Sequence, residues 1–301
     1  MADFLYKSPR TAALISVISN TLLVVSKITA GILSGSVSIL SEGIHSGLDL
    51  VAAIIAFFSV SLSSQPDDAE HPYGHGKIEN VSGTVEAILI IIAGALIIKE
   101  AVHKLQRGGE VSHVNIGLVI MLFSVVMNII VSRILFKSAK KHESQALEAD
   151  AHHLSTDVLT SLGVFLGLLL VKLTHYQWLD PIVALGVAAL IIWIGGKVML
   201  KSFVDLIDHK LPEEEEVKIR SLIDEHADKF IEYHKMRTRR SGAVRYIDIH
   251  LVVSGDQTVD EAHSLCDHLE EDISELYHNA KIFIHLEPAK VSLDEAQHKK
   301  A

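Results

Sequence analysis

Two segments of this chain carry ionisable side chains at the same spacing. Ser41-Glu42-Gly43-Ile44-His45-Ser46-Gly47-Leu48-Asp49 holds His45 and Asp49, and Asp150-Ala151-His152-His153-Leu154-Ser155-Thr156-Asp157 holds His153 and Asp157. A separation of four puts both side chains on one helix face, about a turn apart. Both segments sit in apolar runs long enough to cross a bilayer. An aspartate at the centre of such a span costs roughly 2.5–3.5 kcal/mol on insertion scales, so an intramembrane pair is a functional hypothesis by default. Two carboxylates become tolerable when a dication sits between them. Two imidazoles with two carboxylates make a four-coordinate nitrogen and oxygen set, which suits zinc, whereas calcium and magnesium call for more oxygens. Such ligation needs neutral imidazole and ionised carboxylate, so metal and protons compete for the same atoms. A site of this kind, opened alternately to each side, is a metal/proton antiporter.

Two further groups have metal-ligand chemistry. Asp68, His71 and His75 fall in a turn-rich loop, His71-Pro72-Tyr73-Gly74-His75-Gly76-Lys77. His234, His250, His263, His285 and Glu287 are spread over the last third of the chain, where strand and helix ends converging at an edge can gather them into a regulatory or structural site. The 18 histidines among 301 residues are a high count for a residue that is the commonest metal ligand.

The elements that must position these groups follow from the hydropathy pattern. Apolar runs at about 11–33, 37–62, 78–98, 114–136, 146–173 and 182–199 are each near the ~20 residues that a spanning helix needs, which predicts six transmembrane helices. The first contains Lys27, expected to face the protein interior or to snorkel. Six spans place both termini on one side, with Lys7, Arg10, Lys77, Arg133, Lys137, Lys140, Lys141, Lys197 and Lys201. Lys99, Lys104, Arg107 and Lys172 fall on the other, so the first side is read as cytoplasmic. After residue 205 charge replaces apolarity. A helix opening on the acidic run Glu213–Glu216 and reaching about Lys229 is expected, then a strand over Tyr233–Arg239 and a turn at Gly242. A second strand, Val244–Val253, alternates Ile247, Ile249, Leu251 and Val253 against Tyr246, Asp248 and His250. An amphipathic helix over Asp260–Tyr277 and a strand over Lys281–Leu286 complete a small α+β sandwich with helices on one face of the sheet. The expected domains are 1–208 for the membrane bundle, 209–290 for the soluble part and 291–301 for a disordered tail.

Composition excludes other classes. A net charge of -10 argues against nucleic acid as the partner. The single cysteine, Cys266, permits neither an internal disulfide nor a Cys-x-x-Cys knuckle, and reads as a buried small hydrophobe. The first apolar run is too long for a cleavable signal. A membrane metalloprotease would carry a His-Glu-x-x-His helix, which this sequence lacks, and four protein ligands would close the open position that catalysis needs.

The order and spacing of several stretches resemble the cation diffusion facilitator family, particularly its bacterial YiiP-type zinc and iron efflux members. These are Gly35-Ser36-Val37-Ser38-Ile39-Leu40, the loop His71–Lys77, Ala149-Asp150-Ala151-His152-His153 with Asp157, Met236-Arg237-Thr238-Arg239 with Ser241-Gly242, and Ile249-His250-Leu251. The resemblance spans about 12–288. It implies a homodimer in the bilayer, six spans, and a cytoplasmic domain of metallochaperone-like, ferredoxin-like α+β fold. It implies a transport site at His45, Asp49, His153 and Asp157, a loop site at Asp68, His71 and His75, and a binuclear cytoplasmic site at His234, His250, His263, His285 and Glu287 whose metal holds two such domains together. A charge pair at the membrane junction would map to Lys77 and Asp208. Close bacterial relatives usually carry Asp where this chain has His45; a His there resembles the family's eukaryotic zinc transporters and implies tighter discrimination of zinc from cadmium. The last cytoplasmic carboxylate is usually Asp and is Glu287 here, preceded by Leu286. The long His-rich loop of eukaryotic members is absent between spans four and five, which points to the plasma membrane of a prokaryote. The leading expectation is export of zinc in exchange for protons. The alternatives are export of iron, manganese, cobalt or cadmium, or a metal sensor or scaffold that transports nothing.

Overall fold

The computed structural model describes residues 8–34, 37–107, 114–174, 176 and 178–289. The tail expected at 291–301 lies outside them. The chain divides into two compact units, Met1–Phe203 and Val204–Ala301.

The first unit is a bundle of long helices: α1 (Pro9–Ser34), α2 (Val37–Ser63), α3 (Lys77–Arg107), α4 (Val114–His142), α5 (Gln145–Thr174) and α6 (Leu179–Leu206), whose last turn belongs to the second unit. Several outrun the apolar stretches read from the sequence, because charged residues such as Lys140 and Lys141 continue a helix into the aqueous boundary. Five of the six are long and apolar enough to cross a membrane over their described residues. The exception, α5, carries Glu148, Asp150 and Asp157. Its first turns are nevertheless buried among Val60, Val131, Leu135, Leu147 and Leu154. Helix α1 packs extensively on α2, and α4 on α5. The α1–α2 approach is closest at Gly43, where an added Cβ would stand 2.9 Å from Ile28 Cγ1 and 3.1 Å from the Ile28 backbone nitrogen. Just beyond this contact, Lys27 is buried and donates to Ser46 Oγ at 2.8 Å, so it faces inward.

One end of the bundle is tied by a buried carboxylate. Glu79, on the first turn of α3, accepts from Ser63 Oγ at 2.7 Å on α2 and from Ser144 Oγ at 2.6 Å, with the Ala146 amide at 3.4 Å, at the start of α5. Asn80 donates to Gln145 Oε1 at 2.6 Å beside it. A carboxylate at an incipient helix N-terminus is favoured by the orphan amides there.

The second unit runs α7 (Glu213–Asp224), β1 (Glu232–Ser241), β2 (Val244–Val253), α8 (Val259–Leu276) and β3 (Ala280–Pro288). The sheet order is β1-β2-β3, antiparallel then parallel. Helix α7 stops five residues short of the expected Lys229, because successive three-residue hydrogen bonds tighten the chain into turns from His226 onward. The core is Ile219 and Ile223 of α7, Leu265, Leu269 and Ile273 of α8, and the inward set Ile247, Ile249, Leu251 and Val253 of β2. Cys266 is buried and free. Thr258 and Glu261 form a capping box at the start of α8. Strand β1 carries a bulge: His234 pairs with His250, but Arg237 pairs with Asp248, and Lys235 between them takes φ 51°. The extra residue keeps His234 and Arg237 on the same face despite their odd separation.

Candidate metal centres

The membrane-unit centre is built from α2 and α5. His45 and Asp49 lie a turn apart on α2, and Asp157 comes from α5; one ligand atom from each lies within 4.8 Å of the other two. His153, the fourth expected ligand, stands behind Asp49, its Nε2 3.2 Å from Asp49 Oδ1. Both partners are nearly sealed from solvent, and His153 Nδ1 has no hydrogen bond. His45, Asp49 and Asp157 line a cavity of about 300 Å³ together with Lys27, Ser46, Asn128 and Thr160. The arrangement gives one imidazole and two carboxylates facing an open space, with a second imidazole orienting one carboxylate. A dication between them balances the two negative charges, which is the donor set that zinc takes.

Three features here escaped the motif-based reading. Lys27, expected to face the interior or to snorkel, lines the cavity with Ser46 beside the candidate ligands. Glu86 on α3 and Asp150 on α5 are fully buried carboxylates outside the cluster. Glu86 Oε1 has only Ser82 Oγ at 3.5 Å, and neither oxygen of Asp150 completes a hydrogen bond. Any acidic residue inside an apolar run is the signal that could have found them.

The loop cluster is compact, with Asp68 and His71 exposed and His75 half-buried. Asp68 Oδ1 accepts from the backbone amides of His71 at 2.6 Å and Glu70 at 2.9 Å and lies 3.2 Å from His71 Nδ1. Asp68 Oδ2 is 3.4 Å from His75 Nε2, and the two imidazoles lie with centroids 4.4 Å apart and planes inclined at 44°. The His71 amide in particular holds the Asp68 carboxyl below its usual range, so it stays ionised. Gly74, at φ 78°, makes the turn that returns His75 to Asp68.

In the second unit the sheet itself aligns the ligands. His234, His250 and His285 are direct neighbours across β1, β2 and β3, with ring centroids 5.4 Å and 4.8 Å apart. Glu287, two residues along β3, shares their face. Its Oε1 is 2.5 Å from His250 Nδ1 and 3.8 Å from His285 Nε2. Its Oε2 is buried without a hydrogen bond, although His234 Nε2 is only 3.3 Å away. One ligand atom from each of His234, His250 and Glu287 lies within 4.8 Å of the other two, so these three fit a metal. The His250 hydrogen bond above all holds the Glu287 carboxyl below its ordinary value. His263 is not brought to this group: it sits exposed on α8, 3.1 Å from Asp267. Lys77 and Asp208 belong to different units; Asp208 takes φ 60° and pairs with Arg239 at 3.3 Å.

Comparison of the sequence with known proteins matches it to a family. Residues 13–207 match the model of the cation efflux transmembrane domain, and residues 211–289 that of the cation efflux protein cytoplasmic domain. An uncharacterized transporter of Synechocystis sp. is 35% identical over 262 residues, covering 87% of this chain and 84% of that protein. The manganese efflux system protein MneP of Bacillus subtilis is 28% identical, covering 93% and 96%. The cation-efflux pump FieF of Citrobacter koseri is 28% identical, covering 93% of each. With both domain models matched in order along nearly the whole chain, this chain belongs to the cation efflux, or cation diffusion facilitator, family of membrane transporters.

Proposed function

We propose that this transporter exports a divalent transition metal, zinc in first place, in exchange for protons. The observation that carries the reading is the convergence of His45, Asp49 and Asp157 within 4.8 Å, with His153 bonded to Asp49. Mixed imidazole and carboxylate donors favour zinc over the oxygen-rich sites that manganese prefers. The manganese-exporting relative supports manganese as the second reading. Protons serve as the counter-ion because the ligands of the metal are also the bases of the site. The loop cluster and the row His234, His250, His285 with Glu287 are regulatory or structural zinc sites. His263, exposed on α8, is free to reach the corresponding site of a second copy, in keeping with a homodimer joined through the cytoplasmic domains and with Lys77 and Asp208 as a junction charge pair. Both termini lie in the cytoplasm, and the protein is multi-pass in the bacterial inner membrane.

The test is stopped-flow flux of zinc, manganese, iron, cobalt and cadmium into proteoliposomes, with and without an imposed pH gradient. Zinc flux should rise with the gradient and fall when it is collapsed. Flux indifferent to protons removes the exchange, and a preference for manganese over zinc removes the metal assignment.

A further inference from the structure

A cavity of about 330 Å³ opens between α5 and α6, apart from all three metal clusters. Its polar lining is cationic in balance. Lys201 Nζ is held by Glu148 at 2.6 and 2.7 Å. Lys197 Nζ sits 3.8 Å over the Trp193 ring and has no carboxylate partner among the described residues. A cation–π contact at an exposed site is weak, so this ammonium remains available to an anion. The surface of α6 at its mouth is apolar: Trp193, which lines the cavity, and Leu200 and Phe203, which flank it in sequence, are 57%, 66% and 47% exposed.

The position of these groups along the helix says what the anion is attached to. Helix α6 has 28 residues, about 42 Å at 1.5 Å per residue, against a hydrocarbon core of about 30 Å. Its apolar run ends near residue 199. Lys197 and Lys201 therefore straddle the boundary between acyl chains and headgroups, and Trp193 lies one turn deeper, where aromatic side chains anchor. Soluble phosphate would meet the lysine but gain nothing from the exposed apolar wall. A phospholipid uses both, its headgroup in the cavity and its chains along Leu200 and Trp193.

We propose that this cavity binds the phosphodiester headgroup of an anionic phospholipid, with Lys197 as the phosphate ligand. Basic pockets between transmembrane helices are suited to such headgroups. The bound lipid bridges α6 to the first turns of α5, the helix that carries His153 and Asp157, and the proposal stands whichever metal is transported.

The experiment uses full-length Trp178→Phe protein in bilayers, where Trp193 is the sole tryptophan. Quenching by brominated phosphatidylglycerol is compared with quenching by brominated phosphatidylcholine at equal mole fraction. The expected ratio of apparent affinities is roughly five, the contribution of one basic residue at a membrane surface. Lys197→Gln should bring it close to one, while Lys197→Arg should preserve it. Lys140→Gln, exposed on α4 and outside the cavity, should leave it unchanged, which separates a local site from general attraction to anionic bilayers. A ratio near one before any lysine is changed overturns the proposal. So does a ratio that survives Lys197→Gln combined with Lys201→Gln. Loss of the preference on adding millimolar inorganic phosphate would assign the cavity to the free anion instead.

Discussion

Asp157→Asn changes one charge at nearly constant shape, and its consequence can be worked from the membrane-unit cluster. His45, Asp49 and Asp157 present ligand atoms within 4.8 Å of one another. Asp49 and Asp157 together balance a dication, and the amide leaves one positive charge uncompensated. Removing one partner of a buried charge pair costs about 3–5 kcal/mol, or about two to four powers of ten in affinity. The cavity of about 300 Å³ admits water to the cluster, which places the loss at the lower end, about 100-fold. The bond between His153 and Asp49 at 3.2 Å is made without Asp157, so the variant keeps both of its partners. The assay is the zinc concentration giving half-maximal flux in proteoliposomes, with size-exclusion elution of the variant as the check on folding. A change smaller than about threefold in a well-folded variant would refute the assignment of Asp157 as a ligand, and with it the two-carboxylate site.

Three other outcomes follow from the geometry. His45→Asp adds a third carboxylate to the cluster and should raise cadmium flux relative to zinc; an unchanged ratio, measured by competitive uptake, would show that residue 45 does not select the metal. Glu79→Gln removes one charged acceptor from Ser63 and Ser144, bonds worth about 1.5–3 kcal/mol when charge-assisted; thermal unfolding of the solubilised protein should fall by several degrees, and backbone hydrogen exchange should rise at residues 144–148. The third outcome concerns pH. Burial pushes the Glu216 carboxyl up, but the Thr238 hydroxyl, Arg220 and Lys210 outweigh it and hold the group below its ordinary value of 4.5. A carboxyl depressed in the folded state stabilises fully above that value, and its contribution disappears as pH falls through the folded one. Denaturant midpoints should therefore drop below about pH 4.5, and Glu216→Gln should flatten this dependence; an equal slope in both proteins would show that other groups set it.

Much of this architecture is legible in residue order because it rests on periodicity. The alternation of Ile247 to Val253 predicts which face of β2 is buried, and those four positions are indeed core. The His-x-x-x-Asp spacing works in the same way: it can place His45 and Asp49 on one face of α2 without knowledge of α5. What spacing cannot supply is the relation between elements. It offers four equivalent ligands, whereas packing of α2 on α5 turns His153 toward Asp49 and leaves three groups around the open space. It scatters five cytoplasmic ligands over an edge, whereas strand register aligns three histidines in a row and leaves His263 on the solvent face of α8. Glu79 carries no motif at all. Its role depends on Ser144, 65 residues away, arriving at the same end of the bundle.

The irregularity at Lys235 has a consequence for how this chain can vary in length. Because alternate residues of a strand point to opposite sides, deleting Lys235 would put His234 two positions from Arg237 and restore a regular ladder in which His234 still faces His250 and Glu287. An insertion there, with the bulge kept, would slide His234 one position past His250 and turn it to the opposite face. The three-histidine row is thus indifferent to loss of the one surplus residue but not to a further gain, so that short stretch of β1 can shorten by a single position and cannot lengthen.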